Sequence, residues 1–304
     1  MTAAISVVIP TKDRVQWLRR TVEMFLGCAE VGEVIIVVDG CQDGTLEYVQ
    51  AASAANSRIR YLDNVRNRGT TYSRNRGVEL AEYEYVFTAE DDLELTDNFF
   101  AVLLAHMQDT AADIIAGRNI FKFEHETAEE SIARTNRLAG ATIDRRTIEI
   151  QTGIPTPDDQ EQSLLPAPML GKTEIFRKVG WDESVRGHGW REESDFQLSA
   201  REHGYKLVCC PHAISYNLVI ENDTGGSHYL SDTKRLKWMV RNNWRFVRKH
   251  RELISREFDA GNLYLFIAKF AVRRTSTDVI LPALVTAKRR TQDSIRRPSR
   301  KPES

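Results

Sequence analysis

The chain has 304 residues, of which 41% are hydrophobic and 28% charged, with a formal net charge of −1. This is the composition of an ordinary soluble globular protein, long enough for one large α/β domain or two smaller ones, and its charge argues against a general nucleic-acid binder. The balance is uneven: residues 261–304 hold ten Lys/Arg against three Asp/Glu, or +7, which leaves −8 for the rest and suggests a basic tail with its own partner.

Ile5-Ser6-Val7-Val8-Ile9-Pro10 reads as a strand. Residues 14–27 put Val15, Leu18, Val22, Phe25 and Leu26 at helical spacing and stop at Gly27. Val34-Ile35-Ile36-Val37-Val38 is apolar throughout, as a central parallel strand should be. A helix over 44–55, a strand over 58–62, a helix over 70–81 and a strand over 83–88 follow. This alternation predicts an α/β fold, a mostly parallel sheet with helices on both faces. Ligands in such folds bind beyond the carboxyl ends of the strands. Those ends carry Thr11-Lys12-Asp13-Arg14, Asp39-Gly40-Cys41-Gln42-Asp43 and Glu90-Asp91-Asp92, which therefore share one crevice.

The second half is less regular. Residues 113–123 are strand-like, and 124–163 read as a long polar connection containing Pro155-Thr156-Pro157-Asp158-Asp159-Gln160-Glu161. Residues 169–176 return to the sheet, 194–203 form a helix ending at Gly204, and 206–210 form a short strand. From Ser231 onward the pattern is mainly helical, which divides the chain into a main domain over 1–230, with halves near 1–110 and 111–230, and a basic extension over 231–304.

Glu90-Asp91-Asp92 is the most informative stretch, because an apolar strand runs straight into three carboxylates. Like charges so close cost free energy unless a cation offsets them, and oxygen ligands suit a hard divalent ion such as Mg²⁺ or Mn²⁺. In an extended backbone Glu90 and Asp92 point one way and Asp91 the other. A solvated acidic loop or a helix start explains acids as well. Cys28, Cys41, Cys209 and Cys210 lack CxxC spacing, so a reduced, cytoplasmic protein without a structural zinc site is expected. The first strand begins too early for a secretory leader, and no apolar run of ~18 residues is present.

Taken together, the segments resemble family 2 glycosyltransferases of the GT-A fold. Val7-Val8-Ile9-Pro10-Thr11-Lys12-Asp13-Arg14 is similar to that family's first strand and nucleotide-contacting turn, and Val37-Val38-Asp39-Gly40-Cys41-Gln42-Asp43-Gly44-Thr45 to its acidic second turn. Asn67-Arg68-Gly69 and Ser73-Arg74-Asn75-Arg76-Gly77 resemble the segment before the fourth strand, and Glu90-Asp91-Asp92 the metal-binding DxD. Gly180-Trp181-Asp182-Glu183 and Trp190-Arg191-Glu192-Glu193-Ser194-Asp195-Phe196 resemble the acceptor-side acidic motif. The chain departs from the pattern at Lys12, where an aromatic residue is common, and at Ser215-Tyr216-Asn217, where a His is common. His228 or His212 stands as its replacement.

The resemblance implies an inverting, metal-dependent hexosyltransferase of polysaccharide biosynthesis that takes a nucleotide-diphosphate sugar, UDP first among them, and a glycan or lipid-linked acceptor. Thr11, Arg14, Asp39, Asp43, Arg74 and Asp91 would contact the donor, and Asp92, Glu90 and His228 the Mg²⁺ or Mn²⁺. Glu193 falls at the catalytic base, with Glu192 beside it. Trp190, Trp181 and Asp195 would face acceptor or sugar. Asp39, Asp43, Glu192 and Glu193 also suit helix starts, Arg74 a salt bridge, and the tryptophans a core. A nucleotidyltransferase shares the architecture but usually has a Gly-rich basic first loop, absent here; a non-catalytic sugar-binding module is the rival from another class, and no GxGxxG supports a dehydrogenase. In the tail, Asn262 to Val272 and Val279 to Val285 are apolar and precede Lys288-Arg289-Arg290 and Arg296-Arg297, a pattern of peripheral membrane contact at the inner face of the cell membrane. Packed helices with a disordered tail are the alternative.

Overall fold

The computed structural model describes residues 5–187, 189–219 and 230–277. In chain order the elements are β1 (Ile5–Thr11), α1 (Val15–Gly27), β2 (Val31–Val38), α2 (Thr45–Ala55), β3 (Ile59–Asp63), α3 (Thr70–Leu80), β4 (Tyr85–Thr88), β5 (Leu93–Leu95), α4 (Phe99–Thr110) and β6 (Ile114–Phe123). There follow α5 (Ala128–Thr135), β7 (Ile143–Asp144), β8 (Glu149–Ile150), β9 (Gln160–Glu161), β10 (Met169–Lys172), α6 (Thr173–Val179), α7 (Glu192–Glu202), β11 (Leu207–Val219), α8 (Asp232–Lys249), α9 (Arg251–Glu257) and α10 (Leu263–Thr275).

One sheet runs β3-β2-β1-β4-β10-β6-β11-β5, with β9 also pairing β11. β1 to β4 are parallel, β10 is antiparallel to both neighbours, and β11 is again parallel to β6. The sheet is thus mostly parallel, and β1, β2, β4, β6 and β11 deliver their carboxyl ends to the same edge. Side chains alternate across it with period two. Val7, Ile9, Ile36 and Phe87 face α1 and α4, where Phe25, Phe99 and Phe100 pack around the Phe87 ring. Val8, Ile35 and Val86 face Val78 of α3, Phe176 of α6 and Phe196 of α7. Gly77 lets α3 approach this closely, since a Cβ there would lie 2.3 Å from Val8 Cγ1.

The helices after residue 230 share a core with the rest of the chain: Phe246, Val247, Leu253, Ile254 and Phe266 pack with Ile148, Leu164 and Leu198. Four expectations from sequence are corrected. Residues 124–163 contain α5, closed by a Thr127/Glu130 capping box, the β7–β8 hairpin and β9. Residues 169–176 are split between β10 and α6 because Thr173 turns the chain, its N–H and hydroxyl donating to the Glu84 and Tyr83 carbonyls. The strand expected over 206–210 continues to Val219: its register jumps from Cys210 opposite Gly117 to Ile214 opposite Arg118, so the intervening Pro211, His212 and Ala213 bulge and pairing resumes. Finally, β4 stops at Thr88, and Glu90, Asp91 and Asp92 lie in the turn that follows rather than on the strand.

Candidate active site

A cleft of about 490 Å³ opens at the carboxyl edge of the sheet. Thr11 at the end of β1, Lys12 and Arg14 after it, Asp39 after β2, Asn67 and Gly69 before α3, and Glu90, Asp91 and Asp92 after β4 line one side. The acids are held from several elements. Thr11 Oγ1 donates to Asp91 Oδ2 (2.7 Å), and Arg14 Nη1 donates to both Asp91 Oδ1 and Asp92 Oδ2 (2.9 Å each). From β11, the Asn217 amide donates to Glu90 and, at 3.4 Å, to Asp92, while its oxygen accepts from Asn119 Nδ2 (2.7 Å). Glu90 and Asp92 therefore share one partner, and Asp91 alone takes the Thr11 hydroxyl. Arg14, however, spans both aspartates.

Across the cleft stand Arg74 and α7. Arg74 is buried and its Nη1 donates to Glu192 Oε1 (3.0 Å) and Glu193 Oε1 (2.9 Å). Glu192 lines the cleft, whereas Glu193 is the more open of the pair, 27% exposed against 10%. The approach to α7 depends on Gly189, at φ +72°, where a Cβ would lie 2.8 Å from Glu192 Oε2. Burial, with Glu193 next to it, pushes the Glu192 carboxyl well up despite Arg74. Burial also pulls on Arg74, but the two glutamates and the more distant Glu90 outweigh it and raise its guanidinium.

Other predicted residues lie elsewhere. Both Asp39 oxygens are engaged at the cleft wall, accepting from Asn64 Nδ2 and from the Arg68 and Gly69 N–H groups (2.8–2.9 Å), so Asp39 shapes the entry to α3 rather than α2. Asp43 joins its own turn to the start of α1, accepting from the Thr45 and Val15 N–H groups, and does not line the cleft. Trp181 is a core residue, 3% exposed and stacked with Phe196 (4.3 Å) and Phe176 (5.6 Å); the sequence expectation that it faces sugar is corrected. Trp190 packs on α10, against Phe270 and beneath Arg274 (4.2 Å), not on the cleft. Asp195 also turns away, pairing with Lys249 Nζ (2.6 Å) and the buried His250 Nε2 (3.0 Å). All three hold α7 in place: its amphipathic inner face meets the sheet, and its other side meets α8 to α10. The metal call on His228 lies outside the described residues.

Two cleft residues escaped the sequence. Asn217 was visible only as a departure at the expected His. Phe121, opposite Asn217 on β6 and half exposed, had no signal beyond being aromatic in a strand.

The acid cluster suits a hard divalent cation. Burial, then Glu90 and Asp91, push the Asp92 carboxyl up to about 7 against the pull of Arg14, and burial raises Glu90 in the same way, with Glu193 adding to it. The cationic groups present therefore do not fully offset these charges, and carboxylate oxygens are of the type that Mg²⁺ or Mn²⁺ takes.

Residues 6–161, just over half of the chain, match the family model described as glycosyl transferase family 2. The chain belongs to this family. Glycosyltransferase GlyG of Streptococcus pneumoniae is 28% identical over 41% of this chain and 41% of its own length. Succinoglycan biosynthesis protein ExoU of Rhizobium meliloti is 25% identical over 78% of this chain and 69% of its own length. The chain thus matches less than half of the first relative and about two thirds of the second. Among solved structures, GalNAc-T7 with UDP, GalNAc and Mn²⁺ superposes with a TM-score of 0.61 at 15% identity, covering 91% of this chain and 58% of that one, which is a likeness of fold.

Proposed function

We propose that the chain transfers a hexose, with inversion, from a nucleotide-diphosphate sugar to a glycan or lipid-linked acceptor in polysaccharide assembly. The observation that carries this is the cleft itself: three consecutive carboxylates in the turn after β4 share one opening with the buried Arg74 and Glu192, and Arg74 also pairs with Glu193 beside that opening. Asp92 and Glu90 would hold the Mg²⁺ or Mn²⁺, which neutralises the diphosphate leaving group when bound. Asp91 is assigned to the ribose or sugar, Arg14 and Arg74 to phosphate oxygens, and Thr11 and Asp39 to the nucleoside. Glu193 takes the proton from the acceptor hydroxyl, since it is the more exposed carboxylate of the pair. Glu192 keeps Arg74 aimed into the cleft. The UDP and Mn²⁺ bound to the structurally similar GalNAc-T7 support a UDP donor. The nucleotide half near 1–110, the acceptor half near 111–230 and the extension over 231–304 follow the same division of labour.

No helix among the described residues is long and apolar enough to cross a membrane. α10 nevertheless exposes Tyr264, Leu265 and Val272 beside Lys269 and Arg273. This supports peripheral contact with the inner face of a membrane, where a lipid-linked acceptor is presented. The basic clusters 288–290 and 296–297 lie outside the described residues.

The test is a panel of nucleotide sugars assayed for transfer and hydrolysis with Mn²⁺ or Mg²⁺. Glu193→Gln should retain donor binding and lose ~10²-fold or more in turnover. A large loss in Glu192→Gln with normal turnover in Glu193→Gln moves the base by one residue, and full activity in excess chelator overturns the metal requirement.

A further inference from the structure

Away from the cleft, three elements bring together one imidazole, one carboxylate and one thiol. His106 lies on α4, Asp159 immediately precedes β9, and Cys210 ends the first leg of β11. Pairing of Gln160 with Cys209 across β9 and β11 brings Asp159 and Cys210 together. One ligand atom from each of the three lies within 4.8 Å of the other two. His106 Nδ1 is 2.6 Å from Asp159 Oδ2, and both side chains are partly accessible, at 28% and 16%. The second oxygen, Asp159 Oδ1, is sealed from solvent and makes no hydrogen bond of normal geometry, while the carboxylate also faces the Cys210 thiol, which burial and Asp159 push up to about 11. A simple surface His–Asp pair would leave that oxygen to water; sealed and unpaired, such a group costs about 1–3 kcal/mol. The His212 ring, carried by the bulge, stacks on His106 at 5.0 Å.

We propose that His106, Asp159 and Cys210 form a second metal site, selective for Zn²⁺ or another borderline divalent ion, with water in the fourth position. Nitrogen, oxygen and thiolate sulfur are the zinc donor set, and tetrahedral bonds of about 2.0–2.3 Å need ligand atoms 3–4 Å apart. The sulfur separates this site from the all-oxygen cluster at Glu90 and Asp92, since Mg²⁺ and Mn²⁺ favour oxygen donors. On binding, the thiol would release its proton to solvent, the His106 ring would carry its proton on Nε2, and the ion would replace the hydrogen bond that now joins His106 Nδ1 to Asp159. The ion would tie α4, the segment entering β9 and the β11 bulge into one unit. β11 carries Asn217 to Glu90 and Asp92 seven residues further on, so the site sets the base of the strand that positions the donor-side acids. No local spacing announces it, because positions 106, 159 and 210 are distant in sequence.

The test is titration of the full, metal-stripped chain with Co²⁺, read by the thiolate-to-cobalt charge-transfer band and the d–d bands of tetrahedral Co²⁺, then displacement by Zn²⁺. One equivalent should give the band. Cys210→Ser should abolish it, and His106→Gln, a partly exposed and milder change, should weaken it by about tenfold or more. Asp92→Asn should leave it intact, as should Cys41→Ser, which removes the thiol of the nearby-donor group Asp13, Cys41 and Asp43. No thiolate band in the wild type, or a band that survives His106→Gln unchanged but disappears in Cys41→Ser, overturns the site.

Discussion

Replacing Arg74 with methionine removes the cation that, among the described residues, touches both Glu192 and Glu193. The three side chains are 3%, 10% and 27% exposed, so Glu193 can turn to water while Glu192 cannot. Breaking a buried pair from one side costs about 3–5 kcal/mol, because the remaining charge is left without compensation. The cost depends on pH. Burial already holds the Glu192 carboxyl well above its ordinary 4.5, and loss of Arg74 raises it further. A carboxyl raised in the folded state keeps its proton where the unfolded chain has lost it, so stability is greatest at low pH and falls as pH rises from the unfolded value toward the folded one. Stability should therefore fall more between pH 5.5 and pH 7.5 in Arg74→Met than in the wild type, whose Glu192 is raised less. Urea unfolding of wild type, Arg74→Met, Glu192→Gln and the double variant at both pH values measures this. Glu192→Gln should recover about half or more of the Arg74→Met loss at pH 7.5, because an amide needs no counter-ion. A loss below about 1 kcal/mol at pH 7.5, no dependence on pH, or strictly additive variants would refute the buried-charge argument.

Asp92, held up to about 7 by burial and by Glu90 and Asp91, should make the metal-free protein less stable as pH rises from about 4 to 7. Mn²⁺ should reduce that slope and Asp92→Asn should flatten it, while abolishing transfer; thermal melts with chelator or Mn²⁺ that show the same slope for both proteins contradict it. Trp181→Ala should destabilise the fold by about 3–5 kcal/mol through a cavity between Phe176 and Phe196. Its remaining folded fraction should keep the wild-type KM for acceptor, and an unchanged melting point with a raised KM would return this ring to the sugar site.

The run from β1 to β4 was legible because its signals are local. Apolar five-residue stretches, helical spacing ending at Gly27 and acids at strand ends specify parallel strands with their polar termini on one edge. This much placed Thr11, Arg14, Asp39, Glu90, Asp91 and Asp92 around one opening. The second half resisted because its elements depend on partners far away. β10 becomes a strand by pairing antiparallel with β4 and β6, and β11 outlasts its apolar run because β5 and β6 continue the ladder past the bulge.

Side-chain destinations divide in the same way. The kind of residue at each strand end, and hence the chemistry available there, is written in the local sequence. Where Trp181, Trp190, Asp195 and Arg74 point is not, since each is decided by tertiary packing against α7 and α3, and for all but Trp181 the partner lies more than fifty residues away. A tryptophan in an acidic motif has the same local signature whether it meets sugar or Phe196. Only the tertiary packing, by filling one of those two positions with core, makes the choice.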